Sequence, residues 1–322
     1  MPDIEIDLQR CNGCGICADF CPVSVFDMAV ANGHSRPVAT RAEDCWACDT
    51  CVGQCPSGAL HVVQPSSPSK RDAAPQPQLS PGEHDLYVEW ATRLKDILRL
   101  RWTPVAITLI GSEEELPHCP KPRGKLRYCQ SLMAARRGKS MLMTADCHAC
   151  PDGTSILGLT EIPPKLASGE LYIRFGKLAS IEAARQMVSE RPKLASRSIQ
   201  ATLVTPLDQP IVTPDVIAIT AQPEQMMWLC MAASYQTGHR FDFRVSGYNA
   251  QCVETTLFPY TTGEMNISLG CYGCRASSDV SDDLMFMGIP RAKMPHLISG
   301  LKQLAKKAIG DSRSKIYLPP QV

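Results

Sequence analysis

The sequence lacks the features that would place it in a membrane or direct it out of the cell. No segment approaches about 18 uninterrupted apolar residues, whereas a membrane-spanning helix needs about 20. The first ten residues, MPDIEIDLQR, carry acidic side chains where a secretory signal has a basic stretch and an apolar run. We therefore expect a soluble, cytoplasmic protein with no membrane partner.

Sequence motifs for several common chemistries are also missing. There is no G-x-G-x-x-G after a strand, no Walker-type loop and no H-E-x-x-H, so neither nucleotide binding nor zinc-protease chemistry is indicated. Flavin sites often lack a short motif, which leaves flavin binding open. A nucleic-acid binder usually has a basic stripe interleaved with aromatic residues. The chain has no such stripe and only 6% aromatic residues, so we expect no nucleic-acid partner.

The nearly balanced charge of the whole chain hides a division along it. Residues 1–60 contain eight acidic and three basic residues, which gives a net charge of −5. The remaining residues contain 24 acidic and 30 basic residues, which gives +6. Opposite charges favour association of the two regions, or of one region with a partner protein.

A segment rich in proline and serine divides the sequence. Residues 65–81, PSSPSKRDAAPQPQLSP, contain five Pro, four Ser and one large apolar side chain, so they are predicted to form an extended linker. A chain of 322 residues suggests about two domains. We predict a small cysteine-rich domain over residues 1–64, a linker over 65–82 and a larger domain over 83–322.

The larger domain shows the hydrophobic patterns of both helices and strands. Apolar residues recur at helical spacing in some segments, and short apolar runs in others are typical of buried strands. These patterns predict an α/β (mixed α+β) domain. The predicted strands are 105–110, 140–145, 202–207, 215–220 and 240–245, and the predicted helices are 86–100, one that ends near Gly138, 224–235 and 293–309.

Eight of the 16 cysteines form an internal repeat. Each copy reads C-x-x-C-x-x-C-x-x-x-C-P, the run with which bacterial-type ferredoxins hold iron–sulfur clusters. A structural zinc module would instead have four ligands per site in two separated pairs. The two copies, at a constant offset of 34 residues, are Cys11, Cys14, Cys17, Cys21 and Cys45, Cys48, Cys51, Cys55.

Residues 1–63 resemble the two-cluster bacterial-type ferredoxins, and the resemblance implies a small α+β module that transfers single electrons. In such modules the fourth cysteine of each run ligates the other cluster. A module of about 60 residues has little core of its own, so loss of metal should also unfold it. The implied ligands are Cys11, Cys14, Cys17 and Cys55 for the first [4Fe–4S] cluster, and Cys45, Cys48, Cys51 and Cys21 for the second.

Two further cysteine pairs lie in the larger domain. Cys147 and Cys150 in DCHACPDG, and Cys271 and Cys274 in LGCYGCR, are C-x-x-C pairs close to glycine and turn residues. Such a pair is half of a metal site, and it is equally typical of a redox-active dithiol. The two pairs are about 120 residues apart, so only the fold is able to bring them together.

Several segments of this domain resemble the family catalogued as domain of unknown function number 169: KLRYCQSLMAARRGK, FGKLAS, PEQMMWL, AQCVETTLFPY and SLGCYGCR. The resemblance covers roughly residues 85–310. Five thiols in one domain favour a third iron–sulfur cluster held by three or four of them, with a redox-active dithiol, zinc or inert thiols as alternatives. The recurrent cysteines match Cys129, Cys150, Cys252, Cys271 and Cys274, with Cys147 as an additional candidate.

The reactive position of such a site would be a spare thiol or an open iron. Cys129 and Cys252 are the candidate catalytic thiols, and Arg275 is the candidate for holding an anionic substrate. The leading hypothesis is an anaerobic iron–sulfur oxidoreductase. An external electron donor or acceptor protein exchanges electrons with the N-terminal module, which passes them to the cysteine site, where a small molecule is reduced. The alternatives are a non-catalytic electron carrier that docks onto an enzyme, and a module that handles clusters or sulfur.

Overall fold

The computed structural model describes residues 3–21, 23–31, 33–45, 50–63, 79–113, 116–122 and 124–314. The helices and strands of these residues, numbered in chain order, are β1 (Asp3–Ile6), α1 (Ile16–Asp19), β2 (Phe26–Ala31), β3 (His34–Ala39), α2 (Thr50–Gln54), β4 (Leu60–Val63), α3 (Pro81–Leu98), β5 (Val105–Ile110), α4 (Tyr128–Ala135), β6 (Met141–Thr144), α5 (Pro151–Ile156), α6 (Pro164–Ala167), α7 (Glu170–Arg174), α8 (Ile181–Glu190), β7 (Ala201–Pro206), β8 (Val216–Ala221), α9 (Pro223–Ser234), a π-helix (Ala250–Leu257), α10 (Phe258–Thr262), β9 (Asn266–Ser268), α11 (Tyr272–Ser277), β10 (Met285–Pro290), α12 (Met294–Ala305) and α13 (Ala308–Arg313).

The chain forms two compact units, each assembled from several segments of the sequence. The first consists of Met1–Pro75, Lys121–Tyr128 and Met143–Ser198, and the second of Gln76–Pro120, Cys129–Leu142 and Ile199–Val322. The predicted domain boundaries at 64 and 83 stay predictions, because packing between distant segments leaves no trace in local composition. Most of the predicted linker lies outside the described residues, and at its end Pro81 already begins α3.

The N-terminal module of the first unit is built from two antiparallel strand pairs. β1 pairs with β4, and β2 pairs with β3. Each cysteine run leads into a short helix, α1 or α2. The predicted α+β class is confirmed for this module. Its buried apolar core is small and includes two cysteines among its members, which are Cys17, Val23, Val25, Phe26, Cys51 and Leu60.

Helices of residues 143–198 contact this module through one largely buried carboxylate. Asp44 has a side chain only 7% exposed, and it forms ion pairs with Lys165 and with Arg174, at 3.2 Å in the second case. Arg174 also donates to the carbonyl of Ser24 at 3.2 Å. Phe175 packs against the apolar core of the module. Charge and apolar burial together thus hold α6 and α7 to the module within this unit.

A six-stranded sheet forms the centre of the second unit. Its strand order is β6–β7–β5–β8–β10–β9. β5 pairs antiparallel with β7 and β8, and β10 pairs antiparallel with β8 and β9. On one face, α3, α9 and α12 bury a large apolar cluster to which Trp90, Leu229 and Leu301 contribute. The prediction of a larger α+β domain is confirmed.

The π-helix covers the opposite face of β10. Met287 and Ile289 belong to the large apolar cluster, so Gly288 between them faces the other way. A Cβ atom at Gly288 would lie 2.1 Å from the carbonyl oxygen of Thr255, so only glycine allows the strand and the π-helix to approach this closely. Pro259 in α10 has no N–H to donate to the carbonyl of Thr255, four residues earlier. The loss of this α-helical hydrogen bond favours a turn wider than that of an α-helix.

The strand predicted over residues 240–245 is wrong. The side chain of Asn266 accepts a hydrogen bond from the N–H of Arg244 and donates one to its carbonyl, both at 2.9 Å. The backbone of Arg244 is therefore bonded to a side chain rather than to a neighbouring strand. The other four predicted strands are confirmed as β5, β6, β7 and β8. No helix within the described ranges is long and apolar enough to cross a bilayer.

Candidate iron–sulfur and cysteine sites

The first candidate site is a cleft in the N-terminal module that is lined by cysteines of both runs. Cys11, Cys14 and Cys17 come from the first run and Cys55 from the second, and all four line the same cleft. Cys14 is exposed to solvent, whereas Cys17 is buried. The fold therefore brings together the four thiols that the ferredoxin resemblance implied for one cluster.

The backbone around this cleft fits a group bound to these thiols. Gly13 and Gly15 have φ values of 74° and 76°, in the left-handed region that favours glycine. A Cβ atom at Gly13 would lie 2.3 Å from the carbonyl oxygen of Ser35, so glycine is required where this loop lies against β3. The N–H of Ala59 donates to Cys55 Sγ at 3.3 Å, and such hydrogen bonds stabilise a cluster-bound thiolate.

Three of the four cysteines implied for the second cluster lie in the described part of the module. Cys21, Cys45 and Cys51 pack in or against the core of the module, and Cys48 lies outside the described residues. Cys21 Sγ accepts the N–H of Val25 at 3.2 Å. Cys21 and Cys45 are close in sequence to the two module residues that bond to α6 and α7.

Two helices of the second unit bring together cysteines that are distant in the sequence. Cys129 lies on α4 and Cys274 lies on α11, and the Cys129 thiol forms a hydrogen bond with Cys274. Beside this contact, Gln130 Nε2 donates to the carbonyl of Ser277 at 2.8 Å. Both thiols are at least nine-tenths buried. Sequence reasoning named both cysteines, and the structure shows that they meet.

The surroundings of Cys274 favour its thiolate. The hydrogen bond with Cys129 has the largest effect on the pKa of Cys274, which falls to about 7. Ser278 Oγ at 3.5 Å and Gln251 Nε2 at 4.0 Å act in the same direction, and burial opposes them. Gln251 and Ser278 were not singled out from the sequence, because their role depends only on the tertiary fold.

Cys271 belongs to the same group of thiols. Its Sγ accepts the N–H of Cys274 at 3.4 Å and also a hydrogen bond from the backbone of Ala250, at the start of the π-helix. Amide contacts of this kind also occur at Cys21 and Cys55 in the N-terminal module. No three His, Cys, Asp or Glu side chains converge on one single-ion position in the described parts of the chain, the module included. Cluster ligands surround several iron atoms rather than one position.

The π-helix carries Cys252 into this region of the fold. Cys252 is 8% exposed, and its thiol donates to the carbonyl of Asn249 at 3.4 Å. Asn249 precedes the π-helix in the left-handed conformation, with φ 54°. π-Helices occur frequently at functional sites. The location of Cys252 agrees with its selection as a candidate, and its catalytic role stays a prediction.

A buried carboxylate holds the loop before the π-helix in place. Glu254, 2% exposed, accepts the N–H of Ser246 at 2.6 Å and that of Gly247 at 3.2 Å. Its second carboxylate oxygen accepts the hydroxyl of Ser268 on β9. Glu254 therefore links the loop over residues 246–249, the π-helix and the sheet beside the cysteine group.

The donors of Arg275 point at the protein itself rather than at a site for a ligand. Nε donates to the carbonyl of Leu269 at 2.8 Å, Nη2 to that of Leu284 at 2.9 Å and Nη1 to that of Ser281 at 3.3 Å. These bonds fasten the segment after α11. The structure thus gives Arg275 a different role from the predicted one of holding an anionic substrate.

Cys147 and Cys150 belong to the first unit, whereas Cys129 and the other three candidates belong to the second. Cys150 caps α5 and accepts the N–H of Gly153 at 3.4 Å. Burial raises the pKa of Cys147 and lowers that of His148, between the two cysteines, to about 4. His148 is therefore neutral near pH 7.

Comparison with known families agrees with both parts of the chain. Residues 10–59 match the 4Fe-4S dicluster domain, and residues 93–300 match DUF169, described as uncharacterised ArCR. The second match covers more than half of the chain. The chain belongs to the DUF169 family. In this DUF169 protein the N-terminal module is a ferredoxin domain with two [4Fe–4S] clusters, and the resemblances stated from the sequence are confirmed.

Relatives of each part are similar over nearly their whole length. An uncharacterised protein of Methanocaldococcus jannaschii is 30% identical over 217 residues, which are 66% of this chain and 93% of the relative. A ferredoxin of Methanothermococcus thermolithotrophicus is 33% identical over 63 residues, which are 19% of this chain and 98% of the ferredoxin. No solved structure matches the chain.

Proposed function

We propose that this DUF169 protein is an iron–sulfur oxidoreductase in which the ferredoxin domain delivers electrons to the cysteine group of the second unit, where a small molecule is reduced. One observation carries the proposal. Cys129 converges with the C-x-x-C pair of Cys271 and Cys274, although α4 and α11 are far apart in the sequence. Buried thiols that only fill space in a core are not expected to lie together beside amide and side-chain hydrogen-bond donors.

The cysteine group has the donor set for a third iron–sulfur cluster. Cys129, Cys271 and Cys274 supply three sulfur ligands, and Cys252 lies on the element that begins beside Cys271. When bound, such a cluster would supply a one-electron store and an open iron position. The amides of Ala250 and Cys274 would stabilise the thiolate of Cys271, and Gln251 would do the same for Cys274.

A redox-active dithiol is the second candidate for this centre, and the direct hydrogen bond between Cys129 and Cys274 favours it. Reduction of a disulfide between these two sulfurs would consume two electrons and two protons and would yield two thiols. The ferredoxin domain, with two one-electron clusters, supplies that number of electrons. The dithiol would in turn pass two electrons and two protons to the substrate and return to the disulfide.

The electrons would come from an external carrier protein. Residues 1–60 have a net charge of −5, so we propose a donor with a basic docking surface. If the chain were only a carrier that docks onto an enzyme, or a module that handles clusters or sulfur, the cysteine group would not be reduced and reoxidised together with a substrate.

The iron content of the full chain tests the cluster form of the proposal. After anaerobic purification we expect about twelve irons and twelve sulfides per chain, against about eight if only the ferredoxin domain is loaded. The double substitution Cys271→Ser and Cys274→Ser should reduce the count to about eight and leave the ferredoxin clusters reducible. Cys230→Ser is a matched control, because Cys230 is a half-buried thiol of α9.

Two results would contradict the proposal in turn. A wild-type count of about eight would remove the third cluster and leave the dithiol. Mass spectrometry of the oxidised and reduced chain would then show a disulfide between Cys129 and Cys274 in the oxidised form only. If that disulfide were also absent, the chain would be an electron carrier without a second redox centre.

A further inference from the structure

Three arginines gather around one tryptophan in the second unit, close to the cysteine group. The guanidinium carbons of Arg136, Arg101 and Arg137 lie 4.5, 4.8 and 5.1 Å from the centre of the Trp102 ring. Three like charges at this distance from one ring repel each other, and stacking on an aromatic face offsets only part of that cost. The arrangement therefore calls for further negative charge.

Arg136 is the buried member of this arginine cluster. Its side chain is 2% exposed, and Nη2 donates to the carbonyl of Asp279. Nε and Nη1 are buried and have no hydrogen-bond partner in the described chain. A buried donor without a partner destabilises the protein, and more so when it is charged. Two such donors on one guanidinium fit a ligand with acceptor oxygens.

The carboxylates near the cluster balance its charge only in part. Asp279 is paired with Arg137 and lies 3.8 Å from Arg136, and Asp283 is attracted to Arg101. Two carboxylates thus face three guanidinium groups, and the Cys274 thiolate, which attracts Arg136, is the third negative group nearby. Burial lowers the pKa of Arg136 to about 10, Arg137 and Arg101 act in the same direction, and Cys274 opposes them.

The arginine cluster and the cysteine group are held by the same two segments. Arg136 directly follows α4, which carries Cys129, and Asp279 lies just after α11, which carries Cys274. Arg136 and the Cys274 thiolate also attract each other. Arg101 and Arg137 are exposed, so the cluster runs from solvent to a buried donor beside the thiols.

We propose that Arg101, Arg136 and Arg137 bind an oxyanionic group of the substrate, such as a phosphate, a sulfur oxyanion or a carboxylate. Trp102 forms the floor beneath that group, and Arg136 orients it toward Cys274. This inference rests on the proposed function only in calling the anion part of the substrate. The anion site itself is independent of whether the cysteines hold a cluster or form a dithiol.

The site is tested by calorimetric titration of the full-length holoprotein with inorganic phosphate, sulfate and acetate, with chloride at matched ionic strength as the reference. We expect saturable binding of one anion per chain, and the preferred probe identifies the oxyanion class. Arg136→Gln should weaken binding at least about tenfold, because it removes a charged donor. Arg136→Lys should weaken it less, since the charge is kept while the forked donors are lost.

Because Arg136 is buried, a second variant keeps the test independent of folding. Arg101→Gln combined with Arg137→Gln changes exposed side chains only and should weaken binding about tenfold or more. Arg240→Gln, an exposed arginine elsewhere in the same unit, should leave binding unchanged. Absence of saturable binding for all three probes, or wild-type affinity in the double variant, would overturn the inference. The titration tests the anion site and the iron count tests the cluster, so failure of the anion site and failure of the proposed function are distinguishable.

Discussion

The two cysteine-containing regions of this protein depend on opposite sources of stability. In the ferredoxin domain, cysteines belong to the small apolar core. Cysteines also line a cleft, beside loops in which Gly13 and Gly15 have positive φ values. In the second unit the cysteine group is attached to a sheet whose apolar cluster extends over α3, α9 and α12. We therefore expect the cofactor to complete the fold of the first region, and the second region to fold without one.

Because of this difference, we expect folding to depend on the metal in the first region but not in the second. Loss of metal should unfold the first region, while the second region should lose only its chemistry. Substitutions that disturb packing should have the reverse pattern, with their largest effects on the second unit. Each of the following experiments compares the two regions within one chain.

Metal removal should have the largest effect. Oxidation followed by treatment with an excess of chelator should remove the amide protection of β2 and β3, with exchange rates rising at least about 100-fold. The amides of β8 and β10 should stay protected, since their core contains no metal ligand. Hydrogen exchange with mass spectrometry measures both regions in one sample. Equal loss of protection in both would show that the second unit also depends on its metal for folding.

Gly288→Ala should have the second largest effect and should act on the other region. A Cβ atom there would lie 2.1 Å from the carbonyl oxygen of Thr255, so the π-helix has to move away from β10. We expect a loss of about 3 kcal/mol in the stability of the second unit and weaker assembly of the cysteine group, with the ferredoxin clusters retained.

Gly310→Ala is the control for Gly288→Ala. Gly310 lies in α13 with open space around its Cα, so alanine should be neutral or should stabilise the helix by up to about 1 kcal/mol. Thermal unfolding followed at the second unit measures both variants. If Gly288→Ala were as mild as Gly310→Ala, close approach of the two backbones would not be what holds the π-helix.

Asp44→Asn should have the smallest effect. The carboxylate is largely buried but its partners Lys165 and Arg174 are partly exposed, so solvent screening reduces the value of the pair. We expect a loss of about 1 kcal/mol in the packing of the ferredoxin domain on α6 and α7, detected as faster proteolysis within the first unit. Asp19→Asn, an exposed acid of the same domain, should have no effect. Equal proteolysis of the two variants would mean that Phe175 and apolar packing carry the contact.

The sequence predicted the parts of this protein whose signal is local. The repeated cysteine run indicated the ferredoxin domain, and apolar runs located β5, β7 and β8. Helices α5, α6 and α7 were missed because each has six residues or fewer. Helix α8 was overlooked although it is amphipathic, with Ala184 and Val188 buried one turn apart. The π-helix was missed because it depends on contact with β10, which is an effect of the tertiary fold, and because its local signal, Pro259, was not considered.

The candidate site was predicted only in part for the same reason. The C-x-x-C spacing singled out Cys271 and Cys274, and the family resemblance added Cys129, but neither gave information on which cysteines meet. Arg275 was chosen because it follows Cys274, and the fold instead uses it to bind backbone carbonyls. Arg136 was passed over within a helical pattern, although an Arg-Arg-Gly end to that helix was visible in the sequence.

The central claim is that the cysteine group is a redox centre additional to the two ferredoxin clusters. Anaerobic reductive titration of the full chain tests it most directly, because it counts electrons rather than atoms. We predict an uptake of about three electrons per wild-type chain if the cysteine group holds a cluster, and of about four if it forms a disulfide. If the centre is a cluster, uptake should fall to about two electrons in the chain with both Cys271→Ser and Cys274→Ser. If it is a disulfide, uptake should fall to about two electrons in the Cys129→Ser chain. An uptake of two electrons by the wild-type chain would contradict the central claim.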